Sequence, residues 1–483
     1  MSVFGYDTYL SPATWRYGSR EMRSIFSEVN RRRNWRRVWA AIAAVKQEIG
    51  LITPEQLADI QAHVEDVNVA RSLEIERTLQ HDLAAEAQAF AEQCPVGGQT
   101  LHTGATSADI TDNADALIIG QALALVRTRL VALLRAFEEK IAETYDERLV
   151  ALGFTHIQPA QPVPFAYRLA NYAQDLLHLL RQLEAFTVRA KGVKGAVGTG
   201  ADYVTLLEGT GVTFRQFHQR VMEKLGLQPL LIAAQTATRL VDVELMGMLH
   251  ALAATLHRVF TDLRLLQSMG EAQEPFAEGQ KGSSVMAYKK NPKDSEQICA
   301  LAAAVMSLHS MAGYAAANNL LERTLNESAI RRVYLPEAFL FTDHCLIKAH
   351  KVIAGLLINR DKIRRDLRTH GDFAGTGRLL VRLQQMGVSR EEAYRLIQRC
   401  SLKAQEAVVR GEENPLRALL LEAIHALPYS AAQSLTAADI EELVDASGYV
   451  GASFELTGDF LSQLRAVLAA YPEAAAAAAD DLF

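Results

Sequence analysis

Leu117-Ile118-Ile119-Gly120-Gln121-Ala122-Leu123-Ala124-Leu125-Val126-Arg127-Thr128-Arg129-Leu130 is the stretch that decides the fold class. Leu117, Ile118, Ala122, Leu125, Val126 and Leu130 recur at near-helical spacing, which gathers them on one face of a helix. Proline is absent from Val96 to Gln158, so nothing in that span breaks the helix by removing an amide donor. Proline is absent again from Phe165 to Gln228, from Leu230 to Glu274 and from Lys293 to Leu335. Within these spans Leu240, Val243, Leu245, Leu249 and Leu252 repeat the helical period, and alternating strand-like patterns are few. The chain reads as all-α, and its middle third as very long helices that must pack as a bundle to hide their apolar faces.

Boundaries fall near Ser107 and near Asn359, giving three helical domains: shorter helices over 1–106, the long bundle over 107–358, and a smaller helical cap over 359–483. The cap includes Asn414-Pro415 and Pro428-Tyr429; the run Ala474 to Ala479 before Asp480-Asp481 reads equally as a helix extension or a frayed end, and no function is assigned to it. With 483 residues, 49% hydrophobic and 22% charged, the composition is that of a soluble globular protein. A net charge of −6 argues against a nucleic-acid partner, which would require a basic face. Arg31-Arg32-Arg33 with Arg36 and Arg37 is the local exception. Trp35 and Trp39 interleave with it at helical spacing, so the arginines are expected to be solvated or paired at a subunit contact. Cys94, Cys299, Cys345 and Cys400 show no metal-ligand spacing and read as buried thiols. No basic segment leads into an apolar run at the N-terminus, and no charge-free apolar run of the ~18–20 residues that span a bilayer is expected. A cytoplasmic location with no membrane partner follows as an expectation.

Chemistry concentrates in Gly279-Gln280-Lys281-Gly282-Ser283-Ser284-Val285-Met286-Ala287-Tyr288-Lys289-Lys290-Asn291-Pro292. Glycines frame two hydroxyls, lysines stand close by, and Asn291 before Pro292 signals a helix start, with Asn291 as cap. Alone, such a segment reads as solvated surface. Two other segments share its position at an expected helix start: Thr106 and Asp109 have capping-box spacing, and Thr155-His156 stands just before Pro159. Helix starts bind anions through free N–H groups. In an antiparallel bundle they can be gathered, often only by assembling several subunits.

Ser283 to Pro292, Gly104-Ala105-Thr106-Ser107-Ala108-Asp109 with Asp112-Asn113, and Gly153-Phe154-Thr155-His156-Ile157-Gln158-Pro159-Ala160 resemble, in order, the three sequence blocks of the fumarase/aspartase superfamily. Tyr9-Leu10-Ser11-Pro12, Arg16-Tyr17, His81-Asp82, Lys194 to Thr199, Gln235-Thr236, Glu322 to Leu325, Ser328 and Arg331-Arg332 resemble its adenylosuccinate lyase family, in the branch found in animals. The similarity runs from about Tyr6 to the region of Tyr429. It implies a homotetrameric helical core with each site built from three subunits, a small-molecule substrate, and no metal or organic cofactor. The implied reaction eliminates fumarate from an N-succinyl purine nucleotide.

Such an elimination needs a base beside a carboxylate, an acid for the departing nitrogen, and donors for the dianion formed on the way. Ser283 is the expected base, in a field supplied by Lys289, Lys281 and the helix opening at Pro292, with Ser284 beside it as a donor. His156 is the expected acid, since imidazole changes protonation near neutral pH. By the resemblance, His81 orients the substrate or pairs with the acid, and His102 stands on the substrate side. Lys289, Asn291, Thr106, Ser107 and Thr155 would hold the succinyl carboxylates, with Gln235 on the same half. Arg16, Tyr17, Arg323, Ser328 and Arg332 would take the phosphate; Ser328 and Arg332 are four apart, on one helical face.

Four positions depart from the family pattern: Ala287 for a proline, Gln80 and Gln297 for arginines, and Gly377 after Thr376 for a glutamate. They leave the elimination groups intact and bear on which substrate is used. A lyase acting on another succinyl compound, such as nitrosuccinate or a non-nucleotide N-succinyl metabolite, stays open beside the nucleotide reading. So does a non-catalytic structural relative.

Overall fold

The computed structural model describes residues 10–472. Tyr6 and Tyr9 at one end and the alanine run from Ala474 at the other lie outside the described residues. The fold is all-α, with three small two-stranded sheets among the described residues.

Five long helices make the body: Ser107–Asp146, Phe165–Ala185, Leu240–Met269, Lys293–Ala317 and Asn326–Ala354. Leu130, Leu134, Phe137, Leu176, Leu249, Phe260, Val305 and Phe339 are interior in one continuous core, so each helix hides its apolar stripe against its neighbours. The Leu240 helix packs mainly on the Lys293 helix, and the Lys293 helix on the Asn326 helix. The Asn326 helix runs through Pro336 rather than ending before it. Proline there removes the donor that would have met the Arg332 carbonyl.

A second core collects Trp35, Trp39, Phe90, Ile110, Tyr203 and Phe217, and a third Leu379, Leu396, Leu420 and Ile440. The closing helix Ser453–Leu468 returns to the main core through Leu461, Leu464 and Leu468. All four cysteines are buried and unpaired, as expected.

Two expectations fail. Arg32 and Arg36, on the helix Glu28–Glu48, are neither solvated nor at a subunit contact. Both lie inside the chain against Glu86, Arg36 Nε at 2.7 Å from Glu86 Oε1. Arg33 and Arg37 pair with Glu65. The basic cluster is therefore consumed internally. Second, three helices, Ser107–Asp146, Leu240–Met269 and Lys293–Ala317, are long and apolar enough to cross a membrane by composition. Ile298 to Ala317 carries no Asp, Glu, Lys or Arg. Alanine supplies eight of its twenty residues, so it lacks the Leu/Ile/Val density that marks such spans by eye.

Candidate active site

Where the Ser107 helix begins, a cavity of about 750 Å³ opens. It gathers seven of the residues expected to bind substrate: His81, Thr106, Ser107, Gln235, Arg323, Ser328 and Arg332. They come from four discontinuous segments, and buried carboxylates hold those segments together. Asp109 reaches back to the Thr106 amide at 3.1 Å, as the capping-box spacing predicts. Its carboxylate also accepts the amides of Lys194 (2.9 Å) and Gly195 (3.0 Å), the Tyr203 hydroxyl and the Lys191 ammonium. Asn113 accepts the Gly192 amide at 2.9 Å. The loop so anchored carries Ala196, whose carbonyl accepts the Gln235 side-chain amide at 2.9 Å. One turn further on, Asp112 takes the Ala237 amide at 2.8 Å and the Arg239 guanidinium at 3.1 and 3.2 Å. Burial opposes the charge on Asp112, but Arg239 and Arg331 outweigh it and hold its carboxyl below the ordinary range.

His81 caps the helix Asp82–Gln93, its Nδ1 accepting the Ala84 amide at 3.4 Å. On the other side of the ring, Nε2 lies 3.3 Å from Ser107 Oγ. Five arginines line the cavity (Arg31, Arg239, Arg323, Arg331, Arg332), and so do five acids (Glu76, Asp82, Asp112, Asp115, Glu327). Each arginine has a carboxylate partner: Arg332 meets Asp82 at 2.6 Å, Arg331 meets Asp242 at 2.7 Å, and Arg323 is the loosest, 4.0 Å from Glu327. Arg31 is 3.3 Å from Glu28. Formal charge in the lining therefore balances.

The structure places the other nine expected residues elsewhere in the chain. His102 lines a separate small pocket with Trp39 and Lys46, its Nδ1 accepting the Trp39 indole N–H at 3.1 Å; burial, with His81 and Lys46 nearby, lowers its pKa. Tyr17 packs edge-on against His344 and Phe341, and Arg16 is exposed over the Trp15 ring.

His156 and Thr155 are not at a helix start, which corrects the sequence reading. Val150–Thr155 and Gln158–Pro164 form a β-hairpin with His156 and Ile157 at its tip. Both tip residues have positive φ (53° and 61°), a left-handed turn that costs a β-branched residue about 1–2 kcal/mol. Both are exposed, so this strained tip holds an imidazole out into solvent. Thr155 lines a second cleft, of about 600 Å³, against Tyr167 and Arg258.

Ser283, Ser284, Lys289 and Asn291 sit on the loop before the Lys293 helix. Ser283 Oγ accepts the amides of Val285 (3.2 Å) and Met286 (3.0 Å), donors that would also stabilise a deprotonated oxygen. Asn291 does not cap the helix. Pro292 occupies that position, and the first free amides, Asp294 and Ser295, bind the buried carboxylate of Glu274 at 3.2 and 3.1 Å. The positive helix end is thus already satisfied by a buried carboxylate rather than facing Ser283.

Distances along the bundle separate these groups. The Lys293 helix has 25 residues, so the Ser283 loop stands about 37 Å from the segment that leads into the cavity. The hairpin follows the far end of the Ser107 helix, whose 40 residues span about 60 Å.

The departing positions are accommodated locally. Gln80 is the left-handed cap of the helix Val69–Leu79, at the cavity lip. Gln297 Oε1 is 2.9 Å from His344 Nε2; burial lowers the pKa of that imidazole to about 4, so it is neutral and donates to the amide oxygen. Gly377 lies under Tyr449, where a Cβ would come 3.0 Å from the hydroxyl. Ala287 is exposed on the loop. Sequence reasoning anticipated the Asp109 cap, but not its hold on Lys191, Lys194 and Gly195, nor the link that Arg239 makes between Asp112 and Glu327. Asp109 and Asp112 stood in a recognised block, whereas Arg239 carries no local signal.

A sequence model described as lyase matches residues 17–307, and one described as adenylosuccinate lyase C-terminus matches residues 372–460. The adenylosuccinate lyase of Saccharomyces cerevisiae is 36% identical over 419 residues, covering 85% of this chain and 86% of the relative. Those of Schizosaccharomyces pombe (34%, 95% of each) and Methanothermobacter thermautotrophicus (33%, 92% and 96%) match similarly. Among solved structures, 3-carboxy-cis,cis-muconate lactonizing enzyme from Pseudomonas putida superposes with a TM-score of 0.81 at 23% identity, over 94% of this chain and 99% of that one. Fumarate lyase from Mesorhizobium sp. BNC1 gives 0.78 at 21%, over 92% and 98%. These two share the fold. Helical bundle, cavity and matches together define a lyase of the fumarase/aspartase superfamily. Identity at this level over most of its length is decisive for the finer grouping: the chain belongs to the adenylosuccinate lyase family.

Proposed function

We propose that the chain cleaves adenylosuccinate to AMP and fumarate, and the succinyl-aminoimidazole carboxamide nucleotide to its amide and fumarate. Family membership supports the substrate class. The observation that carries the rest is the sorting of groups: one cavity gathers seven binding residues, while His156 and Ser283 are presented tens of ångströms away on an exposed tip and an exposed loop.

Each site is then completed by the hairpin of a second subunit and the loop of a third, in a homotetramer. The faces of the Leu240 and Lys293 helices that are partly exposed in one chain become the tetramer core rather than a membrane surface. Residues 1–106, 107–358 and 359–483 act as three domains around it, in the cytoplasm. In the assembled site the Ser283 oxyanion takes the proton next to a succinyl carboxylate. The electron pair forms the fumarate double bond, the C–N bond breaks, and His156 protonates the departing nitrogen. Lys289 and Asn291 join Thr106, Ser107, Thr155 and Gln235 at the carboxylates. Arg16 and Tyr17 join Arg323, Ser328 and Arg332 at the phosphate, Arg16 adding a cation to a cavity whose own charges cancel.

Fumarate release from purified protein offered adenylosuccinate beside nitrosuccinate tests the reading. Release from adenylosuccinate is expected, and release from nitrosuccinate alone would replace it with the non-nucleotide alternative.

A further inference from the structure

Arg239 is buried at 2% exposure, and its guanidinium joins three segments that each carry substrate-binding candidates. Its two terminal nitrogens form a fork on Asp112, which lies on the helix opened by Thr106 and Ser107. Its Nε donates at 3.1 Å to Glu327, which precedes Ser328 and stands beside Arg323. Arg239 itself follows Gln235 by four residues, and Asp112 also binds the intervening Ala237 amide. Backbone contacts add to the join: the Gln235 amide donates to the Glu322 carbonyl at 3.1 Å.

We infer that Arg239 is the positioning residue that sets Gln235, Ser107 and Ser328 at one mutual spacing, so that the succinyl and phosphate ends of the substrate are measured against each other. The inference rests on the cavity being the substrate site of the proposed reaction. Stability alone does not account for the arrangement. A buried ion triad costs desolvation on every member, and well-packed apolar residues in its place are often as stable. What only the guanidinium supplies is three directed bonds in a fixed plane, which a lysine cannot reproduce.

Steady-state fumarate formation by Arg239→Lys, Gln235→Ala, Ser328→Ala and the two double variants tests this, with thermal unfolding and oligomeric state followed alongside. Arg239→Lys is expected to keep its assembly and raise KM about tenfold or more, with a smaller fall in kcat. Its effect should shrink when Gln235 or Ser328 is already removed, because a spacing matters only while both contacts exist. Should Arg239→Lys not assemble, Glu327→Gln, which keeps shape and one acceptor, is expected to show the same KM-dominated loss and the same sub-additivity with Gln235→Ala. A folded Arg239→Lys with unchanged KM, or losses that simply multiply in the doubles, would overturn the inference. An inactive wild-type protein in the same assay would instead sink the proposed reaction.

Discussion

Asn291 donates its side-chain amide to the Gly282 carbonyl at 2.7 Å and so closes the neck of the Ser283 loop. The two strands of the neck touch: a Cβ on Gly282 would lie 1.8 Å from the Lys289 carbonyl oxygen. Ser283 is therefore carried on a compact loop whose base is fixed while its tip is exposed. Gly282→Ala must push the strands apart. Turnover is expected to fall by about tenfold or more with assembly intact, since small misplacements of a reacting group are costly. Unchanged kcat in Gly282→Ala would show that the neck geometry is irrelevant.

Ser283→Ala removes the proposed base and leaves the binding groups in place. A loss of roughly 10²–10⁴-fold in kcat is expected, with substrate affinity by calorimetry largely kept. Near-normal turnover would remove serine from the chemistry.

Arg332 is held by Asp82 at 2.6 Å and is half-exposed toward the cavity, so it can exchange its partner for a phosphate. Arg332→Ala is expected to weaken nucleotide binding by roughly 10–100-fold, the worth of a charge-assisted bond. AMP binding measured by calorimetry checks this; unchanged affinity would move the phosphate elsewhere.

Lys46 is 3% exposed and donates to the Thr100 and Thr103 carbonyls, behind the segment leading to Thr106. Burial lowers its pKa from 10.5 to about 8. Between those values the unfolded chain holds the proton that the folded chain has released, so the Lys46 contribution to stability rises with pH across that window. Relative to Lys46→Met, wild-type stability in denaturant should gain about 2 kcal/mol from pH 8 to 10. A flat or falling difference would contradict the assignment.

Helix type and extent were legible because the period is long and proline is missing: Leu117 to Leu130 does lie inside a 40-residue helix. The capping box at Thr106 was legible for the same local reason. The hairpin was not, because Thr155-His156-Ile157-Gln158 has none of the Gly, Asn or Asp that mark a two-residue turn. The true partner of the Lys293 helix start, Glu274, comes from about five helical turns' worth of chain upstream and leaves no spacing to read. Arg36 looked like surface because Glu86, its partner, stands on another helix.

Whether sites are completed between chains is tested most directly by mixing. His156→Ala and Ser283→Ala homo-oligomers should each be nearly inactive. Co-expressed in equal amounts they should recover activity, toward roughly a quarter of the wild-type rate, because random assembly gives some sites both intact groups. Mixed oligomers that form but stay as inactive as either parent would contradict the account.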